Sequence, residues 1–213
     1  MAIQTGEKSV PNDVKENTDP PGKIKIADAL KTLLEEKDFN SITSAEIAAT
    51  SGVNEALIYR YYKDKRGLLH HVLSEYLRDS ESQIDRYLRD TQGTFNRLKK
   101  VIWHTFDTYD KNSIFAKILL IEVRNFPGYF KSETYALAKQ YSIIILKLLK
   151  EGIENGEIRD DISAWHMMQT IIGAIEHLIL PSLIFNRKLD IHACTENLCR
   201  ILCEGVFIDG SGK

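Results

Sequence analysis

Between residues 43 and 69 the chain is punctuated so tightly that few folds can accommodate it. Thr43 precedes an apolar run and Glu46 lies three residues on. At that spacing an N-cap hydroxyl and an N3 carboxylate satisfy each other's backbone donors, so a helix is expected to begin at Ser44. Ile47 and Ala48 form its inward face, and Gly52 is the residue able to take the left-handed conformation that ends it. After Ser51-Gly52-Val53, Asn54 caps a second helix running to about Tyr62. Leu57 and Ile58 turn inward, while Glu55, Ala56, Tyr59 and Arg60 occupy the other faces.

Two capped helices across a short glycine turn form the unit that sets a helix N-terminus into the major groove of double-stranded DNA. The continuation from Tyr59 to Leu69 supplies phosphate-contacting groups: Tyr59, Tyr61, Arg60, Lys63 and Lys65, with Asp64 capping a further helix whose free N–H groups face an anion. Thr43 and Ser44, at the start of the first helix, belong to the same surface, and Asn54, Glu55, Ala56 and Arg60 are the candidates for reading bases. The stretch resembles the TetR family of bacterial one-component repressors, on Gly52, Val53, Ile58, Tyr59, Tyr61, Tyr62 and Lys65. Asn54, Ala56, Tyr62 and Arg66 depart from that family's common Ser, Gly, Phe and acid, which bears on the operator sequence rather than the class.

At 213 residues the chain suits one small and one larger domain. Residues 1–22, with Gly6, Pro11, Pro20 and Pro21 among polar residues, read as a disordered arm. Residues 23–69 read as the DNA-binding head, opened by a scaffold helix over 23–37 with Ile26, Ala29, Leu30, Leu33 and Leu34 at helical spacing. Residues 70–213 read as an all-α body, giving an all-α fold overall. A strut from Lys65 to about Arg78 joins the two, and Ile84 and Leu88 lie on a separate short segment ended by Gly93. Further helices are expected over Ile114 to Arg124, up to Asn155, over 164 to about 180 where Pro181 ends or bends the helix, and over 192–207. The helix from 164 is apolar on nearly every face, so one side is expected against a cavity and another against a second subunit, in a homodimeric four-helix bundle.

The net charge is only −2, so attraction to nucleic acid must be local, at Arg60, Lys63, Lys65 and Arg66. No charged segment leads into an apolar N-terminal core, and the protein is expected in the cytoplasm. The stretch 164–185 is interrupted by His166, Gln169, Glu176 and His177, which argues for a core helix and against a membrane span. Three cysteines, Cys194, Cys199 and Cys203, argue against a disulfide framework. Cys199 with Cys203 and His166 with His177 could each share a ligand but make no full set, so no metal and no cofactor are expected. No nucleophile with a base, paired carboxylates or phosphate loop stands at a recognisable catalytic spacing, so no enzyme is expected.

A body of helices on a DNA-binding head needs an input, and the resemblance implies a cavity for a small lipophilic effector. The candidates to line it are Trp103, Phe106, Phe115, Glu122, Phe126, Met167, Met168, Ile171 and Ile172. Tyr135 belongs to the same aromatic set, and His104, Asp107, Arg124, His166 and Glu176 are further polar candidates to orient a head group. The body also resembles family members that respond to fatty acids or acyl thioesters, around Ile171 to Pro181. The expected function is therefore that of a dimeric repressor of a palindromic operator, released by its effector. The alternatives are a constitutive DNA-binding protein whose body only dimerises, and a metal- or thiol-sensing regulator.

Overall fold

The structure, a computed structural model, describes residues 19–206, with side chains through residue 202. The expected arm up to residue 18, Phe207 and the side chain of Cys203 lie outside the described residues. Every helix or turn of helix within them belongs to an all-helical architecture.

The head comprises α1 (Pro21–Glu36), α2 (Ser44–Ser51) and α3 (Ala56–Tyr62). α1 starts earlier than the sequence suggests and takes in Pro21 and Gly22, assigned to the arm. Proline at the first helical position has no amide to lose and its ring already holds a helical φ. α2 is closed by the expected reciprocal cap, with Thr43 Oγ1 accepting from Glu46 N at 3.1 Å and Thr43 N donating to Glu46 Oε2 at 2.8 Å. Lys37 and these donors hold the Glu46 carboxyl down at about 2. Gly52 ends α2 with φ 66°, as expected.

α4 (Lys65–Arg89) is one helix of 25 residues, not a strut ending near Arg78 followed by a short segment. The polar run after Arg78 contains no breaker. Ser80, which would otherwise compete for local backbone groups, has its hydroxyl 3.0 Å from Tyr141 Oη on another helix. α4 therefore enters two cores: Leu68, Leu69, Val72, Leu73 and Leu77 pack with the head, and Ile84 packs with the body.

The body comprises α5 (Thr94–Lys111), α6 (Ser113–Lys117), α7 (Glu133–Glu154), α8 (Ala164–Phe185) and α9 (Ile191–Val206). The helix expected over Ile114 to Arg124 is instead α6, a π turn over Ile118–Glu122 and a 3-10 turn over Val123–Asn125. The wider turn lets three consecutive apolar residues be buried: Ile118 and Leu119 on the head core and Leu120 on the body core. α8 runs through Pro181 to Phe185 rather than ending near 180. Proline removes one amide donor there, and Ser182 Oγ donates to the Ile179 carbonyl at 3.0 Å.

Thr134, fully buried at the start of α7, ties that helix to α4. Its hydroxyl donates to the His70 carbonyl at 3.1 Å and lies 3.0 Å from His70 Nδ1 and 3.1 Å from Ser74 Oγ.

One position of α4 tolerates no side chain. A Cβ on Gly67 would stand 1.9 Å from the Tyr62 carbonyl oxygen. Gly67→Ala is expected to lower stability by about 1–3 kcal/mol, read as a drop in the thermal midpoint. Gly128→Ala, where nothing lies within 4 Å of a new Cβ, should leave it unchanged.

Candidate nucleic-acid interface and effector cavity

The exposed surface of the head carries Thr43, Asn54, Ala56, Tyr59, Arg60 and Lys63, with Ser44, Glu55, Tyr61 and Lys65 partly buried. Asn54 Oδ1 accepts from Ala56 N at 2.8 Å, fixing the entry to α3, and Tyr59 Oη donates to Glu55 Oε1 at 3.4 Å. Tyr62 is buried and donates to the Lys23 carbonyl at 2.7 Å. The hydroxyl at this otherwise aromatic core position thus has a structural partner. Lys63 ends α3 with φ 70°, a conformation costly for a side-chain-bearing residue, and leaves its ammonium in solvent.

Lys65 differs from its expected use as a phosphate contact alone. Its ammonium donates to the Phe39 carbonyl at 2.8 Å and to the Ile42 carbonyl, and lies 4.3 Å from the centre of the Phe39 ring. It cements the α1–α2 connection to the start of α4, and burial lowers its pKa. Asp64 caps α4 by accepting from Gly67 N at 2.7 Å.

Within the body a cavity of about 390 Å³ opens between α5, the π turn, the turns after it, α7 and α8. On α7 a stripe of Tyr135, Ala138, Ser142 and Ile145 faces it; Thr105 and Tyr109 face it from α5, and Ile172, Ile175 and Glu176 from α8. Arg124 and Glu176 meet in its wall as a two-pronged ion pair, at 2.8 and 2.7 Å. Burial pushes the Tyr141 phenol up to about 12 and raises Tyr109 and Tyr129 as well, so these remain protonated donors. The cavity thus offers an apolar lining with a few convergent polar groups, the general character of a small-molecule site.

Of the expected lining residues, Ile172, Tyr135, Arg124 and Glu176 face this cavity. Phe106, Met167, Met168 and Ile171 instead pack in the body core. Trp103 lies edge-on to Tyr87 at 6.3 Å, and Phe115 packs on Tyr76 at 5.5 Å. Asp107 pairs with Lys111, His166 Nδ1 lies 2.6 Å from Ser163 Oγ, and His104 is buried against Ser80 with burial lowering its pKa. Glu122 and Phe126 lie at the junction with the head. Phe126 receives the Arg66 guanidinium at 3.6 Å from its ring centre, and Glu122 borders the same depression. The small and polar α7 residues that line it, Ala138, Lys139, Tyr141 and Ser142, were missed. Their signal is a spacing of three and four residues beginning at Tyr135.

The family model for bacterial regulatory proteins of the TetR family matches residues 26–72, and that for the YsiA-like protein C-terminal region matches residues 73–205. The chain belongs to the TetR family. It is a transcriptional regulator with a helix-turn-helix head and a YsiA-like body. It is 23% identical over 186 residues to the fatty acid metabolism regulator protein of Bacillus subtilis, covering 87% of this chain and 96% of that one. A nucleoid occlusion factor SlmA from Yersinia enterocolitica is 34% identical over 107 residues, about half of each protein. In fold it is similar to FadR from Bacillus subtilis solved with stearoyl-CoA (TM-score 0.76, 22% identity, 85% of this chain and 98% of that one). It is likewise similar to FadR from Bacillus halodurans (TM-score 0.77, 20% identity, 88% and 97%).

Two outcomes follow from the head and its junction. Lys63→Ala should lower the salt slope of DNA binding by about one unit with little change in thermal midpoint. Lys65→Ala should depress the midpoint as well, because two carbonyls lose their donor. The second concerns Glu122, whose carboxylate has a buried unpartnered oxygen and whose pKa is raised by burial and by Asp38. A raised folded-state value means folding costs more once the carboxyl must ionise, so stability from this group falls as pH rises above the ordinary glutamate value. Glu122→Gln should therefore raise the midpoint at pH 8 and leave it unchanged below pH about 4.

Proposed function

We propose that the protein is a homodimeric repressor that binds a palindromic operator and is released by a small, largely apolar effector, with a long-chain acyl thioester the first candidate. The carrying observation is the cavity of about 390 Å³, mostly apolar but with the Arg124–Glu176 pair and tyrosine hydroxyls in its wall. An acyl chain suits the apolar part, and a thioester or carboxyl group suits the polar one. The relative solved with stearoyl-CoA supports this choice of effector. A constitutive DNA-binding protein would need no such space.

The dimer reading is supported by large apolar side chains left exposed on α8 and α9. Trp165, Leu178, Ile184, Phe185 and Ile201 are exposed there, an apolar surface suited to a second copy of the chain. The same pairing accounts for a helix long and apolar enough, by length and composition, to cross a membrane. Two-fold pairing would set the two α3 helices on successive major grooves, roughly 34 Å apart. A DNA partner implies the cytoplasm.

A ligand in this cavity can act on the head only by binding two arrangements of the chain with different affinity, and about 1–3 kcal/mol of coupling suffices for several-fold to hundred-fold release. The test is an operator gel shift with and without stearoyl-CoA, together with native mass spectrometry of the purified protein. Stearoyl-CoA should release the DNA. Ile172→Trp, which fills the cavity, should weaken that response about tenfold or more while operator binding in its absence persists. An operator complex indifferent to every acyl species tested would refute the effector reading. Phe185→Glu with Ile201→Glu should shift the protein to monomer in sedimentation.

A further inference from the structure

A second concave region lies outside the cavity, between head and body. It is a cleft of about 260 Å³ bounded by the start of α1, the end of α3, the middle of α4 and the first turn of α7. Its lining includes the charged side chains Lys23, Lys63, Arg78 and Glu133 and the imidazoles of His70 and His71. Three permanent cations thus face a single carboxylate. Lys23 is also met by Asp19 at 2.8 Å, and His71 by Glu75 at 3.5 Å, with Glu75 held in turn by Lys31 at 3.1 Å. Arg78 is paired with Glu133 across the cleft, and both side chains are about half exposed or more. Such an exposed pair is worth little and exchanges readily for a stronger acceptor.

We propose that this cleft is a second small-molecule site that takes a multiply charged phosphorylated anion. The cation set suits phosphate oxygens: a planar guanidinium fork and two ammonium groups border the cleft from α1, the end of α3 and α4. Burial lowers the pKa of both histidines, so at neutral pH they add no charge, and their N–H groups are turned to Thr134 and Glu75 rather than to the cleft. The space fits a pyrophosphate-sized group and is too small for a folded partner. Operator backbone is a poor occupant. Arg78 lies thirteen residues along α4 from Lys65, roughly 20 Å from the DNA end of that helix. Lys63 also belongs to the expected operator surface, so occupation of the cleft and contact of Lys63 with an operator phosphate compete.

The site does not depend on the acyl effector, although a coenzyme A head group is one source of the anion and a free phosphorylated metabolite is another. The experiment is calorimetric titration of the intact protein with sodium pyrophosphate, with coenzyme A and, separately, with palmitate. Wild type should bind pyrophosphate with an affinity that falls as salt rises. Lys23→Gln with Arg78→Gln should bind it about tenfold more weakly and bind palmitate as before. If the double variant melts well below wild type, Arg78→Gln alone is used, with a loss of about threefold expected. Coenzyme A binding more tightly than pyrophosphate identifies the thioester head group as the source; equal affinities identify a free metabolite. Absence of pyrophosphate binding, or equal binding by the variant, overturns the site. Absence of palmitate binding alone counts against the cavity reading and leaves this one standing.

Discussion

A helix that serves two cores cannot yield in its middle. α4 carries Leu68, Val72 and Leu73 into the head and Ile84 into the body, and between them it is fastened to α7 through Thr134, His70 and Ser74. A hydroxyl buried at such a crossing has to be fully partnered, because an orphaned polar group there would cost about 1–3 kcal/mol. Tyr141 and Ser80 repeat the arrangement farther along the same helix. With α4 held at both levels, rearrangement of the body reaches the head as displacement of a rigid rod rather than as local bending.

What could be read from the sequence is what local chemistry decides. The Thr43–Glu46 cap, the left-handed Gly52 and the Asp64 cap involve residues three or four apart, and the structure has all of them. Boundaries that depend on distant partners were not legible. Nothing near Arg78 says whether a polar run continues a helix, because the answer lies in where Ser80 finds its partner. Pro181 likewise reads as a stop or a bend when isolated, and α8 continues past it.

The two sites show the same limit from opposite sides. The charge of Lys65 is visible in the sequence; the Phe39 and Ile42 carbonyls that claim it are not, being more than twenty residues away. In the body, Ile171 sits in the core and Ile172 faces the cavity. Neighbours on a helix point about 100° apart, so composition cannot separate lining from filling. The aromatic and methionine residues that look most like a binding surface, Phe106, Met167 and Met168, are the ones buried solidly, whereas the lining includes Ser142 and Ala138.

The π turn has a consequence for how this protein can diverge. Leu119 belongs both to the packed interior beneath the head and to the wall of the cavity, as does Tyr129 shortly after it. Drift at these two positions would change the shape of the cavity and the packing beneath the head together, so change in one constrains the other. Ser142, Ile145 and Ile172, on the far wall, carry no such double duty. The cavity can therefore be reshaped at least cost to the head from the α7 and α8 side, with the π turn changing last.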